Sequence, residues 1–188
     1  MCADRLPVRL RPVWQEDVET LRAIGVRAFG SVRVGRELHL MLSVYCRSGL
    51  SDVPLDRQRD EALPREYFAA VADVGAGEQI IGISGIYRLG TWTWRGNLWL
   101  GWTAVDRGFQ GQGVGTQTLR TVMRVARSRG AERLKVETEY GGRATDFYLK
   151  NGFVEEARLR AHYGSDLDAA VLSRTLADIE PLAQVEDG

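Results

Sequence analysis

The sequence predicts an α/β fold in which a mixed, mostly antiparallel central sheet is flanked by helices. Three observations support that expectation. Three strand patterns follow one another from residue 67 to residue 105 with turn residues between them, as in an antiparallel meander. Apolar stripes at helical spacing lie on both sides of that block. After it the pattern runs strand, helix, strand, and a meander followed by that alternation means a mixed α/β sheet. With 188 residues, 44% of them hydrophobic, the chain can bury a real core as one domain. That domain is expected over residues 1–180, with 181–188 a disordered tail.

The elements follow in order. PVRLRPV alternates Val8 and Leu10 before Pro12, a first strand closed by proline and suited to a sheet edge. From Trp14 to Phe29, Val18, Leu21, Ile24, Gly25 and Ala28 recur at helix spacing, and Gly30-Ser31 supplies a stop and a new cap. Val34, Leu38, Met41, Leu42 and Tyr45 make a second stripe that ends at Ser48-Gly49. Residues 50–65, charged and with two prolines, read as an irregular loop or a short helical turn that suits a substrate entrance. Strands are expected at 67–74, 79–89 and 97–105. Leu119, Val122, Met123 and Ala126 mark a helix with Arg127 and Arg129 in its last turn and Gly130 as its C-cap. RLKVETEY (133–140) is a strand, Ala144 to Asn151 a short helix stopped by Gly152, and FVEEARLRAHY with AAVLSRTL a final strand pair.

Composition excludes several classes. Lys+Arg and Asp+Glu cancel at 25 each, so no global field favours nucleic acid or an anionic membrane, and neither partner is expected. No apolar run approaches the roughly 20 residues that span a bilayer, and no leader pattern opens the chain, so a cytoplasmic location is expected. Cys2 sits near a terminus and Cys46 within an amphipathic helix pattern, which speaks against a disulfide framework or a cysteine-based metal site.

The chemistry concentrates at GFQGQGVGT, residues 108–116, where four glycines in nine residues precede a helical pattern. A dinucleotide fingerprint starting at Gly111 needs glycine where Thr116 stands. A Walker-type loop starting at Gly108 needs lysine where Val114 stands. What survives is a run of small residues entering a helix N-terminus, where unpaired N–H groups and the positive dipole end favour phosphate oxygens, a pyrophosphate above all. The plain alternative is a flexible loop with an ordinary cap.

VDRGFQGQGVG resembles the Q/R-x-x-G-x-G/A signature of the GNAT acetyltransferases, with Gln110, Gly113 and Gly115 at the signature positions. ATDFYLKNGF (144–153) is similar to the family's second acyl-CoA motif, a tyrosine-bearing helix that ends in Gly-Phe. The two motifs are separated by one strand and together cover residues 98–153. The resemblance implies an acetyl-CoA cosubstrate. The backbone of Gly111, Gln112, Gly113, Val114, Gly115 and Thr116, with Gln110 beside it, is then expected to cradle its pyrophosphate. Ala104 and Val105 on the preceding strand are expected to hold the pantetheine arm. A side chain at Gly113 or Gly115 would keep phosphate off the amides and strain any positive φ.

Acyl transfer from a thioester to an amine needs a neutral nucleophile, a polarised carbonyl and a proton for the departing thiolate. Tyr148 stands where the family usually keeps its general acid; the other reading is a core tyrosine beside Phe147. Lysine-type and α-amino groups titrate at about 10 and about 8, so the substrate amine needs a base or a water relay. Glu137 is the first choice, on the strand face it shares with Lys135 and with its rival Glu139; a solvated strand face is the plain alternative. The family often has asparagine seven residues before the tyrosine, where this chain has Gly141, and Arg143 is the candidate replacement. The tail RLRAHYGSDLDAAVL resembles the ending of ribosomal-protein and peptide N-terminal acetylases, echoed at Arg160, His162, Tyr163, Asp168 and Ala169. His162 reads as a base, a substrate contact or a surface histidine. Trp92 and Trp94 would wall an acceptor pocket or sit at an exposed hairpin tip that helps dimerisation.

The expected function is N-acetyl transfer from acetyl-CoA to a primary amine of a small molecule or peptide. Transfer is direct within a ternary complex, since no cysteine lies in either motif to carry the acetyl group, and no metal is implied. The rival reading is a catalytically silent CoA-binding sensor or interaction module. Resemblance to the family also implies a homodimer.

Overall fold

The computed structural model describes residues 6–58, 64–75, 77–89 and 96–182. Cys2, Trp92, Trp94 and residues 183–188 of the expected tail lie outside them. In chain order the regular elements are β1 (Arg9–Pro12), α1 (Val18–Phe29), α2 (Val32–Arg47), β2 (Arg65–Asp73), β3 (Glu78–Tyr87), β4 (Asn97–Leu100), β5 (Ala104–Val105), α3 (Val114–Ser128), β6 (Arg133–Glu139), α4 (Arg143–Lys150), β7 (Val154–Gly164) and β8 (Leu167–Thr175). Among the described residues, eight strands whose described pairings are antiparallel except for that of β4 with β6, together with four helices, give the mixed, mostly antiparallel α/β class that the sequence predicts. The elements fall into two compact units, Met1–Tyr87 with Gly101–Val122 and Arg88–Leu100 with Met123–Gly188.

In the first unit β1 pairs with β2, β2 with β3, and β3 with the short β5, all antiparallel. β2 is buried from Glu66 to Ala72 because both of its faces are covered. Tyr67, Ala69 and Val71 pack with Leu21 and Ile24 of α1 and with Leu38, Leu42 and Tyr45 of α2. Ala70 and Ala72 pack with Ile81, Val105, Phe109 and Val114 on the other side. A strand covered twice has no polar face to show, so YFAAVA carries no clean alternation. Between α1 and α2, Gly30 takes φ 66 and Ser31 caps α2 by accepting from Val34 N at 3.3 Å. The segment after α2 forms two 3-10 turns, Leu50–Asp52 and Leu55–Arg57. Buried Gln58 holds them to β2: its side chain donates to Val53 O at 2.6 Å and Arg65 O at 2.9 Å and accepts from Arg65 N at 2.9 Å.

The strand expected over 97–105 is two strands, interrupted at Gly101–Thr103. Gly101 lies against the Tyr67 ring, where a Cβ would come within 3.0 Å of the nearest ring carbon, and its N–H donates to Gly85 O at 2.7 Å. Thr103 Oγ1 then bonds Ser84 Oγ at 2.8 Å and Gly101 O at 3.2 Å, side-chain contacts that replace a continuous ladder.

In the second unit β4 runs parallel to β6, and β8 lies antiparallel between β6 and β7. Leu134 and Val136 of β6 and Ala170 and Leu172 of β8 are buried, which leaves Lys135, Glu137 and Glu139 on the opposite face, as the period of two requires. Among the described residues no helix is long and apolar enough to cross a membrane.

Candidate active site

The glycine run sits in the first unit between β5 and α3. The register sets Ala104 opposite Ile83 and Val105 opposite Gly82, and Asp106 N donates to Ile81 O at 2.8 Å. Residues of an antiparallel strand alternate between bonding toward the neighbour and away from it, so Val105 turns its N–H and C=O away from β3. Gln110 Nε2 donates to that carbonyl at 2.9 Å. Gln110 therefore braces the β5 end of the loop, a job that its place in the signature does not reveal. Gly82 has to be glycine, since a Cβ there would stand 2.6 Å from Ala104 O.

Gly111 and Gly113 take φ 76 and φ 81, the left-handed region that resists a side chain. The first helical hydrogen bond runs from Gln117 N to Gly113 O at 3.0 Å, which leaves the N–H groups of Val114, Gly115 and Thr116 outside the helical ladder at the positive end of the helix. Val114 is only 1% exposed and anchors that end of α3 against Ala70, Ala72 and Ile81. Gln117 ties the same turn to the chain before β1, donating to Leu6 O at 2.9 Å and accepting from Val8 N at 3.4 Å. Gln112 donates its side-chain amide to Gly108 O at 2.9 Å.

Two anchors of this loop escape the motif reading. Asp106 accepts from Gly108 N at 3.1 Å through Oδ1 and from Arg27 Nε at 3.0 Å through Oδ2, so the last turn of α1 grips the loop. Burial pushes the Asp106 carboxyl up, but the hydrogen bonds from Arg27 and Gly108 outweigh it and hold it below the usual carboxylate range. The signal was present: Asp-x-Gly is the sequence of a turn in which an aspartate bonds the backbone two residues on.

The second unit carries the candidate catalytic groups. Tyr148 lies on α4, buried, with its ring 5.2 Å from that of Phe147 and 5.4 Å from that of Phe153. Glu137 is partly exposed on β6, opposite Val171 of β8. His162 Nε2 and Tyr163 Oη both lie 3.0 Å from Glu137 Oε1, and the phenol donates to it. The structure thus brings together three residues that the sequence analysis treats apart. Glu139 is exposed, and its carbonyl accepts from Thr145 Oγ1 at the start of α4. Gly141 turns with φ 69, and Arg143 is an exposed first residue of α4. At the other end of the β6 face, Glu156 is held by Ser173 at 2.6 Å, Lys135 at 3.0 Å and Arg133 at 3.1 Å. The Ser173 hydroxyl and these cations keep its carboxyl below the usual range against the push of burial.

A loop of left-handed glycines opening a helix and a tyrosine-bearing helix ended by Gly152-Phe153 are the marks of an acyl-CoA-dependent transferase fold. The family model described as Acetyltransferase (GNAT) family matches residues 36–153, and the chain belongs to that family. Among solved structures it is similar to a protein assigned to the GNAT acetyltransferases from Desulfovibrio desulfuricans, at 21% identity and TM-score 0.72 over 92% of this chain and 99% of that one. It is also similar to a spermidine N-acetyltransferase from Vibrio cholerae solved with CoA and spermine, at 12% identity and TM-score 0.65 over 90% and 96%. A third similar structure is the ribosomal-protein-S18-alanine N-acetyltransferase from Escherichia coli, at 16% identity and TM-score 0.62 over 95% and 98%. At these identities the likeness establishes the fold. No curated protein sequence matches the chain.

Proposed function

We propose that the protein is an acetyl-CoA-dependent N-acetyltransferase of the cytoplasm, a single domain over residues 1–180 that acts on a primary amine of a small molecule or peptide. The observation that carries this reading is the loop at 111–116: two left-handed glycines lead into a helix whose first amides lie outside its own ladder, with Val114 buried beneath. Those features fit a diphosphate, which needs close approach to bare N–H groups and a positive dipole end. Gly111 to Thr116 hold the diphosphate, and the N–H of Val105, turned away from β3, meets the amide-bearing pantetheine arm. Bound acetyl-CoA supplies the acyl group as an activated thioester. Tyr148 holds a proton for the leaving sulfur, and Glu137 serves deprotonation of the amine. Activity on amines is supported by the spermidine and S18-alanine acetylases among the similar structures.

The test is release of free thiol from acetyl-CoA in the presence of an amine panel that includes spermidine and a peptide beginning with alanine. Turnover with at least one amine is expected. Tight CoA binding without turnover on any amine would instead favour a silent CoA sensor.

A further inference from the structure

β7 contains a break that regular strand geometry does not explain. Successive residues of a strand point to opposite faces, so neighbours such as His162 and Tyr163 should not reach the same group. Here both meet one carboxylate oxygen, Glu137 Oε1, with their rings 5.0 Å apart and nearly perpendicular. The break lies at Ala161, which has φ 52, the one left-handed non-glycine among the described residues. The pairing with β8 slips at the same place, between Leu159 and Gly164. A left-handed alanine costs about 1–2 kcal/mol and persists only when its surroundings hold it.

Asp168 on β8 is what holds it. Its Oδ1 accepts from Ala161 N at 2.8 Å, and its Oδ2 accepts from Arg158 Nε at 2.6 Å. Arg158 in turn stacks on Tyr140 at 4.1 Å, and Tyr140 N donates to Asp168 O at 3.0 Å. A strained backbone, pinned at its N–H by Asp168 and followed by two side chains that meet one carboxylate on the expected catalytic strand, is the kind of irregularity found where a fold is adapted to chemistry.

Resting on the acetyltransferase reading above, we infer that Glu137 and His162 act as one base, with His162 taking the proton of the substrate ammonium and Asp168 serving as the positioning residue that sets the pair. His162 turns Nε2 to Glu137, so Nδ1 is the nitrogen that accepts. The substrate N–H bond breaks, an Nδ1–H bond forms, and the positive charge passes from the ammonium to an imidazolium beside the Glu137 carboxylate. The neutral amine then carries the lone pair that attacks the acyl carbon. The imidazolium returns its proton to water, and of the two protons the nitrogen loses overall, one ends on the departing sulfur. This is the logic by which a carboxylate orients and stabilises an imidazole base in other acyl transfers.

The titratable groups that face the pair are Tyr163 on β7 and, along β6, Lys135, which Glu156 holds, and Glu139. On β8 the residues sharing that face, Ala169, Val171 and Ser173, carry no charge. Asp168 is committed to Arg158 and to Ala161 N, and Arg158 to Asp168 and the Tyr140 ring. The N–H of Ala161 and then Arg158 keep the Asp168 carboxyl below its usual range. Its contribution is complete above the ordinary aspartate value of about 4 and fades only as the pH falls through the lowered one. A change in rate between about pH 6 and 9 therefore does not come from Asp168.

The experiment is kcat/KM against pH for wild type, Glu137→Gln, His162→Gln, their double mutant and Asp168→Asn, with acetyl-CoA and the amine found above. CoA affinity is measured alongside as a check on folding. Each of the first two variants is expected to lose about a hundredfold at pH 7 and to recover at about pH 10, where the amine deprotonates itself. The double mutant is expected to lose no more than either single, as groups acting as a unit do. Asp168→Asn should show a smaller loss, about tenfold, carried by kcat rather than KM, and added imidazole should restore activity to His162→Ala. If His162→Gln turns over like wild type while Glu137→Gln fails, or if the two losses multiply, the pair is overturned and the acetyltransferase reading stands. If wild type releases no thiol with any amine, both fall.

Discussion

The loop at 106–116 and the β6–β8 face at 137–168 solve the same problem in opposite ways. Both must hold polar groups in positions that regular backbone does not provide. The loop does so with glycine: Gly111 and Gly113 enter the left-handed region at little cost, and a contiguous stretch of chain carries the whole arrangement. The strand face does so with alanine under constraint, and the groups that make it work, Glu137, Arg158, Ala161, His162, Tyr163 and Asp168, come from three strands. A site built from permissive residues is written locally. One built from a strained residue is distributed over whatever relieves the strain.

That contrast can be broken from either side, and the largest effect is expected at the glycines. Gly113→Val places a β-branched side chain at φ 81, and CoA affinity should fall by about a hundredfold in a calorimetric titration while the fold stays intact. An unchanged affinity would show that the loop needs no bare backbone. Tyr148→Phe should lower kcat by about tenfold or more with CoA affinity nearly unchanged. Full activity in that variant would return Tyr148 to the core role that its packing on Phe147 and Phe153 also allows.

Loosening the loop without touching its glycines should do less. Asp106→Asn removes the charge that Arg27 grips, and CoA affinity is expected to fall about three- to tenfold, with less effect as salt rises. Because the Asp106 carboxyl lies below its usual range, its brace is fully present above about pH 4 and is lost on acidification through the lowered value; CoA affinity should not change between about pH 6 and 8 on its account. The smallest effect is expected for Tyr163→Phe, which deletes one half-exposed hydrogen bond to Glu137 and should cost about threefold in kcat.

The same contrast explains what could be read in advance. Apolar periodicity located the helices and most of the strands because burial dictates it, and Gly30-Ser31 marked the α1–α2 junction because left-handed φ and N-capping are local demands. Gln110, Gly113 and Gly115 stood out because the loop's requirement is contiguous. The break at Gly101–Thr103 did not, since the groups that meet it there, the Tyr67 ring, Ser84 and Gly85, are far away in sequence. Glu137 and His162 were each visible as residue types, but nothing in ARLRAHYGSD states that Ala161 turns left-handed. That follows from Asp168 across the hairpin, and an alanine in this conformation has no signature of its own.

In the proposed binding mode the backbone N–H groups from Gly111 to Thr116 hold the diphosphate of the cosubstrate. Amide hydrogen exchange, measured by NMR with and without coenzyme A, tests it most directly. Slowed exchange at those amides, with that of β1 left unaltered, is the predicted result. Binding of coenzyme A that leaves exchange at 111–116 unchanged would show that those amides do not hold the diphosphate.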